Sequence, residues 1–344
     1  MIKYNVDIKI LEKHMDIEMK NLDRCRKFYE EFGAPMIHEE YGEYEDRIAV
    51  GLVGEGSDCF GFDDYISTDH DYGIGFCMWL EDETYNKIGG ALQRSYEQLV
   101  QEYNKSHGQG VNMYMDARRG VMPVKTFYAG ILGMDTTVID DVVEKGSISD
   151  RMWAVVTEDK FATAVNGEVY RDDAGLFTGI RQIIQNYYSE KVWYIKLAEQ
   201  LYHFSQNVQS NYARMMARHD DVTASICVAQ GMESAMSLIY LINRRFAPYY
   251  KWMRKGMNDL TVLAEVGELL DKIAGMGLCH EVWENVTYNP YVIYTEDTVV
   301  AAFEQIASLI IAELNRQGIV ENTNPFLDAA SKELIYKVEK GNFV

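Results

Sequence analysis

Apolar residues recur at helical spacing from about Asp7 to Phe32 (Ile10, Leu11, Met15, Ile17, Met19, Leu22), and the run ends at Gly33-Ala-Pro35. That pattern predicts an N-terminal helix with a glycine stop. The period then changes to that of extended chain. Arg47-Ile-Ala-Val-Gly-Leu-Val53 and Tyr72-Gly-Ile-Gly-Phe-Cys-Met-Trp-Leu80 read as two strands flanking a glycine-rich turn, and Thr84 to about Ser106 reads as a helix. Met152–Thr157 and Ala162–Tyr170 are expected to add strands around the Asn166-Gly167 turn. From about Ser189 the helical period is almost unbroken, over Glu190–Gln209, Asp220–Phe246, Leu260–Ala274, Glu296–Arg316 and a last stretch near Asp328–Glu339. The fold class expected is α+β: a mixed sheet with helices in residues 1–185, then a C-terminal helical bundle in residues 186–344.

The most informative stretch follows the first strand. Gly54-Glu-Gly-Ser57 leads into Asp58-Cys-Phe-Gly-Phe-Asp-Asp64, and Asp69-His-Asp71 lies twelve positions after the serine. If Asp69 opens the second strand, alternation puts Asp69, Asp71, Gly73 and Gly75 on one face and His70, Tyr72, Ile74, Phe76, Met78 and Leu80 on the other. Two adjacent carboxylates repel unless cations lie between them, and hard divalent ions suit such oxygen ligands. Such ions could bridge nucleotide phosphates and activate an attacking oxygen. The Gly56-Ser57 turn would supply unhindered N–H groups and a hydroxyl for those phosphates. His70 has the wrong parity for the metal face.

Composition narrows the partners. The 344 residues carry 33 Lys plus Arg against 53 Asp plus Glu, a formal charge of −20, which argues against nonspecific attraction to nucleic acid or anionic membrane. Five widely spaced cysteines with no C-x-x-C pair fit reduced thiols and a cytoplasmic location. Charges interrupt every short apolar run near the N-terminus, so no signal peptide is expected, and no apolar window is expected to reach the length that spans a bilayer.

Gly56-Ser57 followed by Asp69-x-Asp71 resembles the signature of the polymerase-β-type nucleotidyltransferase superfamily. More closely, residues from about 30 to 260 resemble the bacterial family known as domain of unknown function 4037. The residues that carry this second likeness are Gly56–Asp64, Ser67–Gly73, Asn166–Gly175, Val192-Trp193, Lys196–Ala198 and Asn243–Trp252. The resemblance implies a nucleotidyltransferase-like domain followed by helices, with Mg²⁺ and a nucleoside triphosphate, ATP by expectation, as donor. It implies that Asp69 and Asp71 hold the metal and that Gly56 and Ser57 hold the phosphates. It also implies a third carboxylate from a later strand, for which Asp172 is favoured, with Glu168 as its competitor and Asp140 and Asp141 behind them.

Basic residues are scarce, so their clustering is informative: Arg214, Arg218, Arg244, Arg245, Lys251, Arg254 and Lys255 fall close together. Lys251, set among Tyr249, Tyr250 and Trp252, is the preferred phosphate contact from the helical domain. Rival signatures are missing: there is no G-x-x-x-x-G-K-[ST] loop, no G-x-G-x-x-G, no His-Arg-Asp and no G-x-S-x-G. The His70-Asp71 and His219-Asp220 pairs lack the context of a metal-dependent phosphohydrolase. The expected activity is therefore transfer of a nucleoside monophosphate to a small-molecule or protein acceptor. The alternative is a non-catalytic nucleotide-binding module with a regulatory or antitoxin-like role.

Overall fold

The computed structural model describes residues 19–64, 66–69, 73–107 and 118–341. His14, His70, Asp71, Tyr72 and the first part of the expected N-terminal helix lie outside the described residues. The fold is mixed α and β, and the chain divides into two units, residues 1–152 with 160–186 and residues 153–159 with 187–344.

The first unit is built on a four-stranded sheet. Its strands are β1 (Ala49–Leu52), β2 (Cys77–Leu80), β3 (Gly120–Pro123) and β4 (Glu168–Arg171), in the order β3-β2-β1-β4. β1 pairs antiparallel with both β2 and β4, and β2 pairs parallel with β3. Every residue of β1 and β2 is buried, which is the mark of a sheet covered on both faces. One cover comes from α1 (Asn21–Phe28), α2 (Ala34–Tyr41) and α3 (Gly90–Ser106): Cys25, Phe28, Leu92 and Tyr96 form a core with Val50, Phe76, Met78 and Leu80. The other face is met by α4 (Val124–Leu132) and α8 (Leu176–Gln185), where Trp79 stacks on Phe177 at 3.8 Å and meets Phe127 edge-on at 5.2 Å. The same unit contains α5 (Thr136–Lys145), and α6 (Asp150–Val155) and α7 (Glu158–Ala164) lie along the chain before β4.

Several sequence expectations are corrected here. The N-terminal helical run does not stop at Gly33. A π-turn over Tyr29–Gly33 carries it into α2, and Pro35 sits in the first turn of that helix, where a missing N–H is tolerated. Residues expected as strands at 152–155 and 162–164 are helical, and 156–157 form the bend between two helices. Asn166-Gly167 therefore joins a helix to β4 and not two strands; Gly167 has φ +61°, and a Cβ there would meet the Leu52 carbonyl oxygen at 2.0 Å. β2 begins at Cys77, well after Asp69, which closes a 3-10 turn over Ile66–Asp69. The face-sharing argument for Asp69 and Asp71 consequently lacks its strand.

The second unit is helical. It comprises α9 (Glu190–Phe204), α10 (Tyr212–Met216), α11 (Asp221–Ile242), α12 (Tyr250–Gly256), α13 (Val266–Gly275), the short α14 (His280–Trp283), α15 (Thr298–Arg316) and α16 (Leu327–Lys340). α9 is central: Trp193 donates to the Leu241 carbonyl of α11 at 2.8 Å, and Ala198 accepts from Ser331 of α16 at 2.7 Å. α11 and α15 are long and apolar enough, by length and composition, to cross a membrane, contrary to the expectation from the sequence. Half of the α11 window and 44% of that in α15 is buried inside the protein.

Two polar groups inside this unit generate predictions. Asp297 is fully buried and caps α15 through Val299 N–H at 2.8 Å, while its other oxygen accepts from Tyr212 Oη at 3.0 Å and Trp283 Nε1 at 2.7 Å. Asp297→Ala removes a cap and strands two buried donors, so denaturant unfolding is expected to show a loss of about 3 kcal/mol. Glu158 accepts from Ala247 N–H at 3.3 Å and has Tyr188 beside it. Burial pushes its pKa up, outweighing the opposing pull of Lys196 and the Ala247 N–H. The folded state thus holds this proton more tightly than the unfolded chain. Its stabilisation is complete below the ordinary value of 4.5 and is lost as pH rises through the raised one. Unfolding measured against pH should show the Glu158→Gln protein gaining on the wild type across that window and running parallel outside it.

Candidate functional site

The Gly54–Ser57 loop leaves the end of β1 and is held from two sides. Asn166 takes both polar groups of Gly54, accepting from its N–H at 2.9 Å and donating to its carbonyl at 2.7 Å. Gly54 and Gly56 adopt φ +127° and +122°, and a Cβ on Gly56 would lie 2.6 Å from Asp58 Oδ1. Glycine is what this turn requires. Ser57 closes the next turn through its carbonyl, which accepts from Phe60 and Phe62 N–H at 3.2 and 2.8 Å. Among the described residues no acceptor meets the N–H groups of Gly56 and Ser57 or the Ser57 hydroxyl, and both residues are partly exposed. Free N–H groups on a glycine turn are what an anionic oxygen needs.

The second clamp is a buried charge pair. Asp58 and Arg119 are ion-paired with side chains 2% and 6% exposed, and Asp58 Oδ2 also accepts from Asn21 Nδ2 at 2.8 Å. Arg119 Nη1 donates to the carbonyls of Gly73 at 2.8 Å and Gly75 at 3.1 Å and lies 3.2 Å from Cys25 Sγ. Asn21 reaches the Gly73 carbonyl as well, at 3.0 Å. One guanidinium and one amide thus tie the Ser57 loop, α1 and the approach to β2 together. Burial pushes the neighbouring thiols up, Cys77 to about 12, with Arg119 acting against it. These cysteines are therefore protonated core groups and not nucleophiles.

Asp63 and Asp64 shape the segment that follows. Asp63 is fully buried and accepts from Asn21 N–H at 3.0 Å. Asp64 Oδ1 accepts from Ile66 N–H, Ser67 N–H and Ser67 Oγ at 3.0 to 3.1 Å, which sets the 3-10 turn ending at Asp69. The backbone of Asp69 is described, and Asp71 lies outside the described residues. Among the described residues no group of three or more histidine, cysteine or carboxylate ligands comes together.

The two candidates for the later carboxylate are separated by register. Glu168 pairs opposite Leu52, at the end of β1 from which the glycine loop leaves, and forms an ion pair with Arg26. Arg171 pairs opposite Val50, so Asp172 lies toward the other end of the strand. Both Asp172 oxygens are engaged at the start of α8: Oδ1 accepts from Gly175 N–H at 3.0 Å, and Oδ2 from Thr178 N–H and Oγ1 at 2.7 and 2.8 Å. That is the geometry of a helix cap. Asp140 pairs with Lys125 and Asp141 with Lys145. Lys251 belongs to the other unit, where it is exposed on α12 with its ammonium 5.2 Å from the Trp252 ring. Arg244 is committed to Glu190 and to the face of Trp193, and Arg254 to Asp271.

Asn21 and Arg119 carry no signal in the sequence, whereas Asp58 and Asn166 fall within the stretches Gly56–Asp64 and Asn166–Gly175, which do not themselves disclose a clamping role.

Comparison with known proteins adds one finding. A family model described as "Domain of unknown function (DUF4037)" matches residues 153–253. The matched segment runs from α6 into α12, contains Asn166, Glu168 and Asp172, and supports that family resemblance. No curated protein and no solved structure matches.

The buried pair makes a direct prediction. Arg119→Met leaves the Asp58 carboxylate buried without its cation and should lower unfolding stability by about 3–5 kcal/mol in urea. The double variant Asp58→Leu/Arg119→Met should lose less than the sum of the two single changes.

Proposed function

We propose that the sheet-containing unit is a nucleotidyltransferase of the polymerase-β type, which moves a nucleoside monophosphate, AMP from ATP by expectation, to a hydroxyl or similar acceptor and releases pyrophosphate. The observation that carries this reading is the loop at the end of β1, with two positive-φ glycines, N–H groups at Gly56 and Ser57 that meet no acceptor among the described residues, and a clamp on either side. Such a cradle fits phosphate oxygens. The resemblance of Gly56-Ser57 and Asp69-x-Asp71 to that superfamily supplies the chemistry.

In this reading Asp69 and Asp71 would hold Mg²⁺, which when bound neutralises phosphate charge during transfer. Gly56 and Ser57 orient the phosphates through their N–H groups, and the Ser57 hydroxyl adds a donor. Glu168 replaces Asp172 as the third carboxylate, because the strand register puts it at the loop's end of the sheet. Its carboxylate takes the proton of the acceptor hydroxyl as the new phosphoester bond forms. Arg26, paired with it, fixes its direction. Asp172 serves α8 as a cap. The charge of −20 favours a small-molecule or protein acceptor over a polynucleotide.

Thermal unfolding with each nucleoside triphosphate, with and without Mg²⁺, tests the binding half. A Mg²⁺-dependent stabilisation by one triphosphate, about 2.7 kcal/mol at a hundredfold excess over Kd, is expected for the wild type and should vanish in Asp69→Asn/Asp71→Asn. Pyrophosphate release then separates enzyme from binding module. Glu168→Gln should slow release about 10²- to 10⁴-fold while triphosphate binding persists, and Asp172→Asn should chiefly reduce stability. Binding with no release for any acceptor class would favour the non-catalytic module, and no binding would sink both readings.

A further inference from the structure

We propose that the helical unit carries a separate binding site for a small organic cation with an apolar body, an aryl- or alkylamine, in the cavity between α11, α12 and α13. The cavity is about 460 Å³ and lies wholly within this unit, a size within the usual range for small-molecule sites. Its apolar wall is made of Met232, Met236, Met253 and Leu270. Methionine side chains are unbranched and polarisable, so such a wall adapts to an aromatic or aliphatic body without a fixed shape.

The polar groups of the cavity settle the sign of the ligand. Arg254 is spoken for: its Nε and Nη2 form a two-pronged pair with Asp271 at 2.8 and 2.6 Å, and its Nη1 donates to Asn258 at 2.9 Å. With that cation and carboxylate cancelling, the charge left on the lining is Glu233, which has no ion-pair partner among the described residues. Tyr250 also lines the cavity; its ring lies 4.4 Å from that of Tyr249, and the residue is 66% exposed, which puts an aromatic group at the cavity within reach of a cation. A carboxylate and an aromatic ring together recognise an ammonium group, and the methionines beside them recognise what it is attached to. An anionic ligand would meet Glu233 with no free cation on the lining to compensate. This site does not depend on the nucleotide reading, and neither one's failure bears on the other.

Calorimetric titration of the full chain with phenylbutylamine, phenylbutanol and phenylbutyrate, which share one carbon skeleton, isolates the charge. The amine is expected to bind about three- to tenfold more tightly than the alcohol, and the acid to bind weakest. Glu233→Gln should erase the difference between amine and alcohol while leaving the alcohol's affinity in place, and Tyr250→Leu should weaken the amine selectively. Met236→Trp should weaken all three by filling the cavity. If that variant misfolds, the two exposed-residue variants still decide the matter. Equal binding of the three ligands, an unchanged amine affinity in Glu233→Gln, or no binding of any overturns the proposal. So does a concentration-dependent dimer that Glu233→Arg dissolves, which would make this face a contact between copies of the chain.

Discussion

The buried pair of Asp58 and Arg119 is the constraint around which the first unit is organised. Two charges taken out of water are tolerated only when geometry and further hydrogen bonds compensate, and here the guanidinium also serves the Gly73 and Gly75 carbonyls while the carboxylate also serves Asn21. The groups it joins come from α1, from the loop after β1, from the approach to β2 and from the residue before β3. None of these could shift independently without leaving a buried charge unmatched. Such a lock suits a loop whose Gly56 and Ser57 N–H groups meet no acceptor among the described residues, because those groups contribute nothing to holding it in place.

Division of labour among carboxylates follows from the same geometry. Asp58 and Asp63 are internal struts, Asp64 and Asp172 set turns and caps, and Glu168 stands at the loop's end of the sheet with a single arginine beside it. In a chain this acidic the chemistry of a carboxylate is told by what its oxygens already accept. Residues whose lone pairs are taken up by backbone N–H groups have little left for a metal or a proton.

Much of the architecture was legible in the sequence because burial imposes a period. The long helices after residue 189 and the strands at 49–52 and 77–80 show that period clearly, as does the change of texture between the two halves. What escaped has identifiable causes. Met152-Trp-Ala-Val155 carries β-branched and aromatic residues yet lies in a helix, as does Ala162-Thr-Ala164, since tertiary packing overrides weak local preference. Gly33 and Pro35 look like a stop signal, but the π-turn before them absorbs the irregularity. β3, Gly120-Val-Met-Pro123, opens on a glycine and closes on a proline, so its sequence does not read as a strand. In the candidate site, Gly56 and Ser57 announce themselves by composition, whereas Arg119 lies 61 residues from its partner Asp58 and no local pattern could connect them. The choice between Glu168 and Asp172 needed the register of β4 on β1, which alternation alone does not supply.

The short stretch 153–159 belongs with the helical unit although the chain returns to the sheet-containing unit for residues 160–186. Neither unit is therefore a continuous piece of polypeptide, and a cut after residue 186 would leave the first whole but strip the second of residues 153–159. A fragment beginning at residue 187 would lack Trp153 and Glu158, which pack among Tyr188, Phe246 and Ala247. During synthesis the first unit is complete once residue 186 has left the ribosome, whereas residues 153–159 of the second must wait for residues 187–344 before they can pack. The family match, beginning at residue 153, starts at this interlaced segment.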